Sequence, residues 1–228
     1  MKRRFSSAIL IYAALGTLPA TLSVAQEPYR AASIYMLPPR EVAEPVRKVL
    51  DPTGAYLAGA DGKPVAEMWL RRNVPLRANA SGAGYGALAE GTLVGVLNFP
   101  QDGADFRGQP IPAGAYTLRY EHIPEDGNHL GAAPESDFLL LCPAAADPEL
   151  DASFNFDSLV ELSRKASGTN HPVPLMLIAT PATGEFPGIQ RNDMGHVALR
   201  LKTSAKRSGS DTPQEFPVAL VLVGRAEL

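Results

Sequence analysis

Disulfide chemistry is almost excluded, because the sequence contains a single cysteine, Cys142, among 228 residues. One cysteine cannot form an intrachain disulfide, so the stability of the folded chain has to come from packing. Cys142 lies in the apolar run FLLLCP, which is typical of a buried and unreactive thiol. The sequence therefore argues against a disulfide-stapled scaffold and against a catalytic cysteine.

Apolar runs that could cross a membrane are also lacking, since a helical span needs about 20 residues. The run Ala8–Leu18 is shorter; it follows three basic residues at positions 2–4 and precedes the small residues Ser23-Val24-Ala25. This order is typical of a secretory signal peptide. We therefore expect a signal peptide over residues 1–25 and a soluble periplasmic or secreted chain over residues 26–228, without a membrane anchor.

An excess of positive charge is missing as well. The formal net charge is −3, and removal of residues 1–25, with three basic and no acidic residues, leaves −6. An acidic chain is a poor match for nucleic acid or anionic lipid, so we expect neither as the main partner. The 45% hydrophobic content excludes wholesale disorder. About 200 residues can bury a substantial core as one domain.

Helical patterns are scarce, whereas apolar residues at every second position and turn residues recur along the chain. One helix is predicted at residues 158–168, where Ser158 and Glu161 have capping-box spacing and Gly168 can end the helix. Strands are predicted at residues 32–38, 55–70 (a hairpin around Asp61-Gly62), 91–99, 115–122, 137–143, 174–180, 196–202 and 216–224. We predict an all-β fold, a β-sandwich of about eight or nine strands with one short helix, in a single domain over residues 26–228.

Two strands have clear face assignments, and two connecting segments look irregular. Alternation in residues 115–122 places Tyr116, Leu118, Tyr120 and His122 on one face and Thr117, Arg119 and Glu121 on the other. In residues 91–99 it places Leu93, Gly95, Leu97 and Phe99 opposite Val94 and Val96. Residues 38–54 are rich in proline, and residues 203–215 are polar, so both are predicted to be loops.

A candidate metal or catalytic site follows the strand at residues 115–122. His122, Asp126 and His129 supply the imidazole and carboxylate ligands that zinc or copper prefers, and they converge if this loop folds back. The spacing of the two histidines matches no compact ligand motif, and His122 continues the face of Tyr120. A solvated connecting loop with a hydrogen-bonded structural histidine is the alternative.

Two aromatic residues are candidates for ligand binding. Trp69, if exposed, is a natural stacking platform for a sugar, but in a two-sided sheet it belongs to the core. Tyr85 lies in the glycine-rich segment 82–86, which we expect to line the mouth of a ligand site. That segment lacks the lysine and the following helix of a phosphate-binding loop. The chain also lacks a nucleophile elbow and the HExxH zinc motif.

Five short pieces of the central segment Gly91–Ala144 form a recognisable set: Gly91–Gly95, Phe106–Gly108, Ile111–Arg119, Gly127–His129 and Phe138–Ala144. Through these pieces the chain resembles a family of exported bacterial β-rich proteins without an established activity. The resemblance implies an exported β-rich domain and includes His129 in its recognisable segment, but it implies no reaction.

These observations favour a non-enzymatic binding or envelope accessory module. Its partner would be a small molecule, a glycan or an envelope protein, contacted by Trp69, Tyr85 or His129. The alternative is a metal-dependent hydrolase or metal-binding protein that uses the His122/His129 loop. No cofactor is expected other than a divalent metal in that alternative.

Overall fold

The all-β prediction is confirmed. The computed structural model describes residues 28–80, 84–124, 134–207, 209–210 and 212–224, and these form thirteen strands and two α-helices. The predicted signal peptide lies outside the described residues. The strand count exceeds the predicted eight or nine because several strands have only two to four residues, which is too short for a visible alternation.

The strands are β1 Arg30–Ile34, β2 Gly54–Ala58, β3 Pro64–Leu70, β4 Val74–Leu76, β5 Leu93–Phe99, β6 Gly103–Ala104, β7 Pro110–Ile111, β8 Gly114–His122, β9 Asp137–Pro143, β10 Pro174–Met176, β11 Gly188–Arg191, β12 Val197–Arg207 and β13 Gln214–Val223. The helices are α1 Glu44–Val49 and α2 Phe156–Ser167. The predicted hairpin is β2–β3, and Gly62 takes a φ of 77° in its turn, which favours glycine.

Two sheets enclose the main hydrophobic core. An antiparallel seven-stranded sheet has the order β1-β2-β3-β5-β8-β9-β10, and a smaller sheet has β11-β12-β13 with β4 added in parallel beside β12. Leu118 and Tyr120 of the large sheet lie in one cluster with Leu199, Phe216 and Leu220 of the small sheet. This is the layered arrangement of a β-sandwich.

The outer face of the seven-stranded sheet is also covered. Helix α1 contributes Val46 to a cluster that includes Trp69 and Val96, and α2 contributes Leu159 to a cluster with Cys142. This cover also buries the outward-facing side chains of β8, which are Thr117, Arg119 and Glu121. In the described part of the chain, no helix is long and apolar enough to cross a membrane.

The predicted faces of strand β5 are wrong at its start. The pairing with β8 shifts between Leu93 and Gly95, so the strand contains a β-bulge there. Val94 consequently lies in the inner core, while Leu93 lies with Val96 on the outer face. One extra residue inverts the alternation on one side of a bulge, and a period-two pattern cannot reveal it.

Helix α2 begins earlier than predicted. Its N-cap is Asn155, whose side chain accepts a 2.9 Å hydrogen bond from the Ser158 N–H, while the Ser158 side chain accepts one from the Asn155 N–H. The predicted box between Ser158 and Glu161 is therefore wrong, although Gly168 ends the helix in the left-handed conformation as predicted.

Two predicted loops contain regular structure. Helix α1 lies inside residues 38–54, with a proline in its first turn, where the missing N–H costs no helical hydrogen bond. Strand β12 continues through the polar residues Thr203–Arg207, because they pair with β13 and with β4. Pairing with β13 as far as Ala205, and with β4 from Ala205 onward, stabilises this part of the strand although its side chains give no apolar alternation.

Candidate functional site

His122, from the predicted metal site, ends β8 and is paired with a carboxylate. Its Nδ1 lies 3.2 Å from Oδ1 of Asp137, and the Tyr120 hydroxyl donates to the same oxygen at 2.5 Å. Asp126 and His129 lie outside the described residues. Within the described ranges, no three His, Cys, Asp or Glu side chains are grouped as metal ligands would be.

Trp69 is a core residue. Its side chain is 1% exposed, and its indole Nε1 donates a 2.9 Å hydrogen bond to the carbonyl oxygen of Met36. A ring buried against the outer face of the sheet cannot stack on a sugar. Of the two interpretations of Trp69, the structure places it in the core.

Tyr85 is half-buried and also joins structural elements. Its hydroxyl donates to the carbonyl oxygen of Ile178 at 3.0 Å and accepts from the Ala219 N–H at 2.9 Å. Its ring packs edge-on against Phe216, and burial raises the pKa of the hydroxyl well above its usual value. Tyr85 therefore bridges the two sheets instead of standing at the tip of a ligand mouth.

The most credible site is a pocket that the sequence did not indicate. It lies between the outer face of β8 and β9 and helix α2, and it has a volume of about 160 Å³. We call it the α2 pocket. Its apolar wall includes Phe106, Phe138, Leu140, Phe156, Val160 and Pro174. Besides aliphatic, aromatic and proline side chains, its described lining contains only Arg107, Glu121 and His122.

Glu121 contributes the carboxyl group that lines the α2 pocket. It pairs with Phe138 across β8 and β9, so both point to the covered outer face. The residue is 4% exposed, and its Oε1 accepts a 3.0 Å hydrogen bond from the His122 N–H. Its Oε2 is buried, and no hydrogen-bond donor among the described residues contacts it.

Burial controls the protonation of Glu121. Removal from water is the largest effect and raises the pKa of its carboxyl to about 7. The hydrogen bond from the His122 N–H opposes this rise, while the negative charge of Glu90 adds to it. The carboxyl thus exchanges its proton near neutral pH, and its Oε2 has no partner among the described residues.

Arg107, the arginine that lines the pocket, forms an ion pair with Asp105. The Nη2 of Arg107 lies 3.0 Å from Oδ2 of Asp105, and its Nε lies 3.2 Å from the same oxygen. The buried Asp105 also accepts 2.9 Å hydrogen bonds from the N–H groups of Arg107 and Gln109. Arg107 therefore fixes the turn between β6 and β7.

A second buried polar group on this face is fully connected. Arg119 forms two parallel hydrogen bonds to Asp147, at 2.7 and 2.8 Å, and its Nη1 donates to the carbonyl oxygen of Gly91 at 3.0 Å. Thr117 donates to Asp147 at 2.5 Å, and the guanidinium lies 4.9 Å from the centre of the Phe154 ring. Each guanidinium nitrogen of Arg119 has a partner, so this network holds loops in place and offers nothing to a ligand.

Sequence reasoning placed Glu121 on the face opposite Tyr120 but missed its role. The missing information was the cover of that face, which comes from α2, more than thirty residues later in the chain. The sequence did contain one relevant pattern. Phe138 and Leu140 belong to a continuous apolar run, which indicates that both faces of β9 are buried. Glu121, which pairs with Phe138, is buried on the same face.

Comparison with protein-family models, with curated proteins and with solved structures finds no match for this chain. The resemblance of Gly91–Ala144 to exported bacterial β-rich proteins therefore stays a prediction.

Proposed function

We propose that the protein is an exported binding protein that holds a small, mostly apolar molecule in the α2 pocket. The observation that carries this proposal is an apolar cavity of about 160 Å³ in which one buried side-chain atom of the described lining, Oε2 of Glu121, has no hydrogen-bond partner among the described residues. Concave apolar sites with a few polar groups that fix the orientation of the ligand are typical of small-molecule binding.

A carboxyl with a pKa near 7 is also suited to general acid–base catalysis. Covalent catalysis would also need a nucleophile in the same pocket. The described lining of the α2 pocket contains no serine, threonine, cysteine or lysine side chain. Binding without chemistry therefore accounts for the pocket more simply than a reaction does.

Thermal-shift measurements on residues 26–228 with benzene, toluene and cyclohexane test this function. A ligand that binds only the folded state raises the melting temperature. We expect a rise in the wild type and no rise in Val160→Trp, because the larger side chain fills the pocket. The matched control is Glu161→Trp on the exposed side of α2, which keeps the rise. Absence of a shift in the wild type, or an equal shift in Val160→Trp, contradicts the proposal.

The same assay also tests the alternative, a metal-dependent function. EDTA followed by zinc, copper, calcium or manganese is added to the protein without an apolar probe. A metal-specific rise in melting temperature that His129→Ala abolishes would favour the metal site at the His122/His129 loop. We expect the apolar probes, and not the metals, to stabilise the protein.

A further inference from the structure

We propose that the ligand of the α2 pocket is a small apolar amine, whose protonated nitrogen donates a hydrogen bond to Oε2 of Glu121. This inference rests on the proposed binding function and names the chemical class of the ligand. It depends on the position of Oε2 of Glu121 on the wall of an apolar cavity, where no donor from the described ranges of the chain reaches it.

The first argument is the unsatisfied acceptor. Oε1 of Glu121 already accepts the His122 N–H at 3.0 Å, whereas Oε2 has no donor among the described residues. A buried polar atom without a partner is costly, and the cost is larger for a charged group. An ammonium group removes this cost with a charge-assisted hydrogen bond, which is stronger than the bond that a neutral hydroxyl donates.

The second argument is the charge of the other lining groups. The guanidinium of Arg107 is bound by Asp105, and the imidazole of His122 is bound by Asp137. Both basic side chains of the described lining therefore have carboxylate partners inside the protein. A carboxylate or phosphate ligand would meet Glu121, with Glu90 contributing further negative charge. The electrostatics favour a cation and oppose an anion.

The third argument is size. A cavity of about 150 Å³ lined by apolar side chains holds one benzene molecule, and the α2 pocket has a volume of about 160 Å³. A single ring or a comparable aliphatic chain therefore fills it. Benzylamine, in which one carbon joins the ring to the nitrogen, is a suitable probe.

The interaction has a definite pH dependence. The ammonium binds the ionised carboxylate, and in the ligand-free protein the pKa of Glu121 is about 7. Affinity for the amine therefore rises as pH increases toward about 7, by roughly tenfold per unit, and then levels off. An alkyl amine stays protonated in this range, since its pKa is near that of lysine, about 10.4. The titratable groups that act on the pKa of Glu121 are Glu90 and His122, and Arg107 lines the same pocket.

The test is calorimetric titration of the wild type with benzylamine, benzyl alcohol, toluene and benzoate, which share a ring and differ in the attached group. At about pH 8 we expect benzylamine to bind about tenfold or more tightly than benzyl alcohol, and benzoate to bind weakest. Glu121→Gln removes the preference for the amine but retains toluene binding. Glu90→Gln is the comparison variant: it removes the second negative charge but leaves Oε2 of Glu121 in place, so we expect a reduced preference for the amine that is still retained.

Each outcome has a distinct meaning. Equal affinities for amine, alcohol and toluene, or an amine preference that persists in Glu121→Gln, overturn the amine assignment and leave the binding function intact. Failure of all four probes to bind the wild type overturns the binding function itself. Should Glu121→Gln fail to fold, the pH series in the wild type decides, because a flat affinity between about pH 5 and 8 overturns the assignment.

Discussion

At the scale of single residues, Glu121 links the stability of this protein to pH. Its pKa rises from 4.5 to about 7 on folding, chiefly because burial removes its carboxyl from water. Between these values the folded protein retains a proton that the unfolded chain has released. Its contribution to the free energy of unfolding is therefore greatest below about pH 4.5 and falls as pH rises through about 7.

We expect Glu121→Gln to remove this pH dependence. Relative to the variant, the wild type should lose at most about 3 kcal/mol of unfolding free energy between about pH 4.5 and 8. Urea denaturation at both pH values measures this difference, and subtraction cancels the titration of groups common to both proteins. Glu161→Gln, on the exposed face of α2, is the control and should follow the wild type. Parallel curves for wild type and Glu121→Gln would contradict an elevated pKa.

At the scale of the element, helix α2 is capped at both ends and packs over the outer face of the seven-stranded sheet. Asn155 and Ser158 satisfy each other's backbone N–H groups, and Gly168 closes the last turn. Leu159 and Leu162 face the sheet beside Cys142, so the helix covers the outer face and forms one wall of the pocket. Its stability therefore matters for the site as well as for the fold.

We expect Asn155→Ala to destabilise the protein by about 1 kcal/mol, because the N–H of Ser158 loses its acceptor. Equilibrium denaturation measures this loss. Ser153→Ala is the matched control, since Ser153 is exposed and precedes the cap, and it should change the unfolding free energy by less than about 0.5 kcal/mol. Equal effects of the two substitutions would show that the cap contributes nothing.

At the scale of the whole molecule, the accessibility of Cys142 measures whether the protein unfolds cooperatively. It lies in β9, fully buried beneath α2, and burial raises the pKa of its thiol well above the usual value. A thiol reagent therefore reaches it only after α2 or the entire sandwich opens. The predicted single domain implies that these two events coincide.

We expect the labelling of Cys142 by a thiol reagent to follow the same urea dependence as the loss of far-ultraviolet circular dichroism. The control is a Cys142→Ala chain that carries Ala60→Cys in the exposed turn between β2 and β3, which should react at once without urea. Labelling of Cys142 at urea concentrations that leave the circular dichroism intact would show that α2 opens separately from the sheets.

Local sequence patterns were sufficient to predict most of the secondary structure. Alternation predicted β8, continuous apolar runs predicted β9 and β13, and Asp61-Gly62 predicted the β2–β3 hairpin, because each pattern follows from backbone geometry within a few residues. The sequence also predicted the end of α2 at Gly168, since glycine readily adopts the left-handed conformation found there.

The covered faces of the sheets and the position of the pocket depend instead on tertiary packing. The bulge after Leu93 comes from pairing with β8, and the polar half of β12 is a strand because β13 and β4 bond to it. Likewise, Glu121 is buried because α2 lies over its face of the sheet. Alternation in the sequence assigns Glu121 to that face but does not show whether another element covers it. Burial, and with it the pKa and the unpartnered oxygen, depends on contacts between residues far apart in the chain, which a local pattern does not encode.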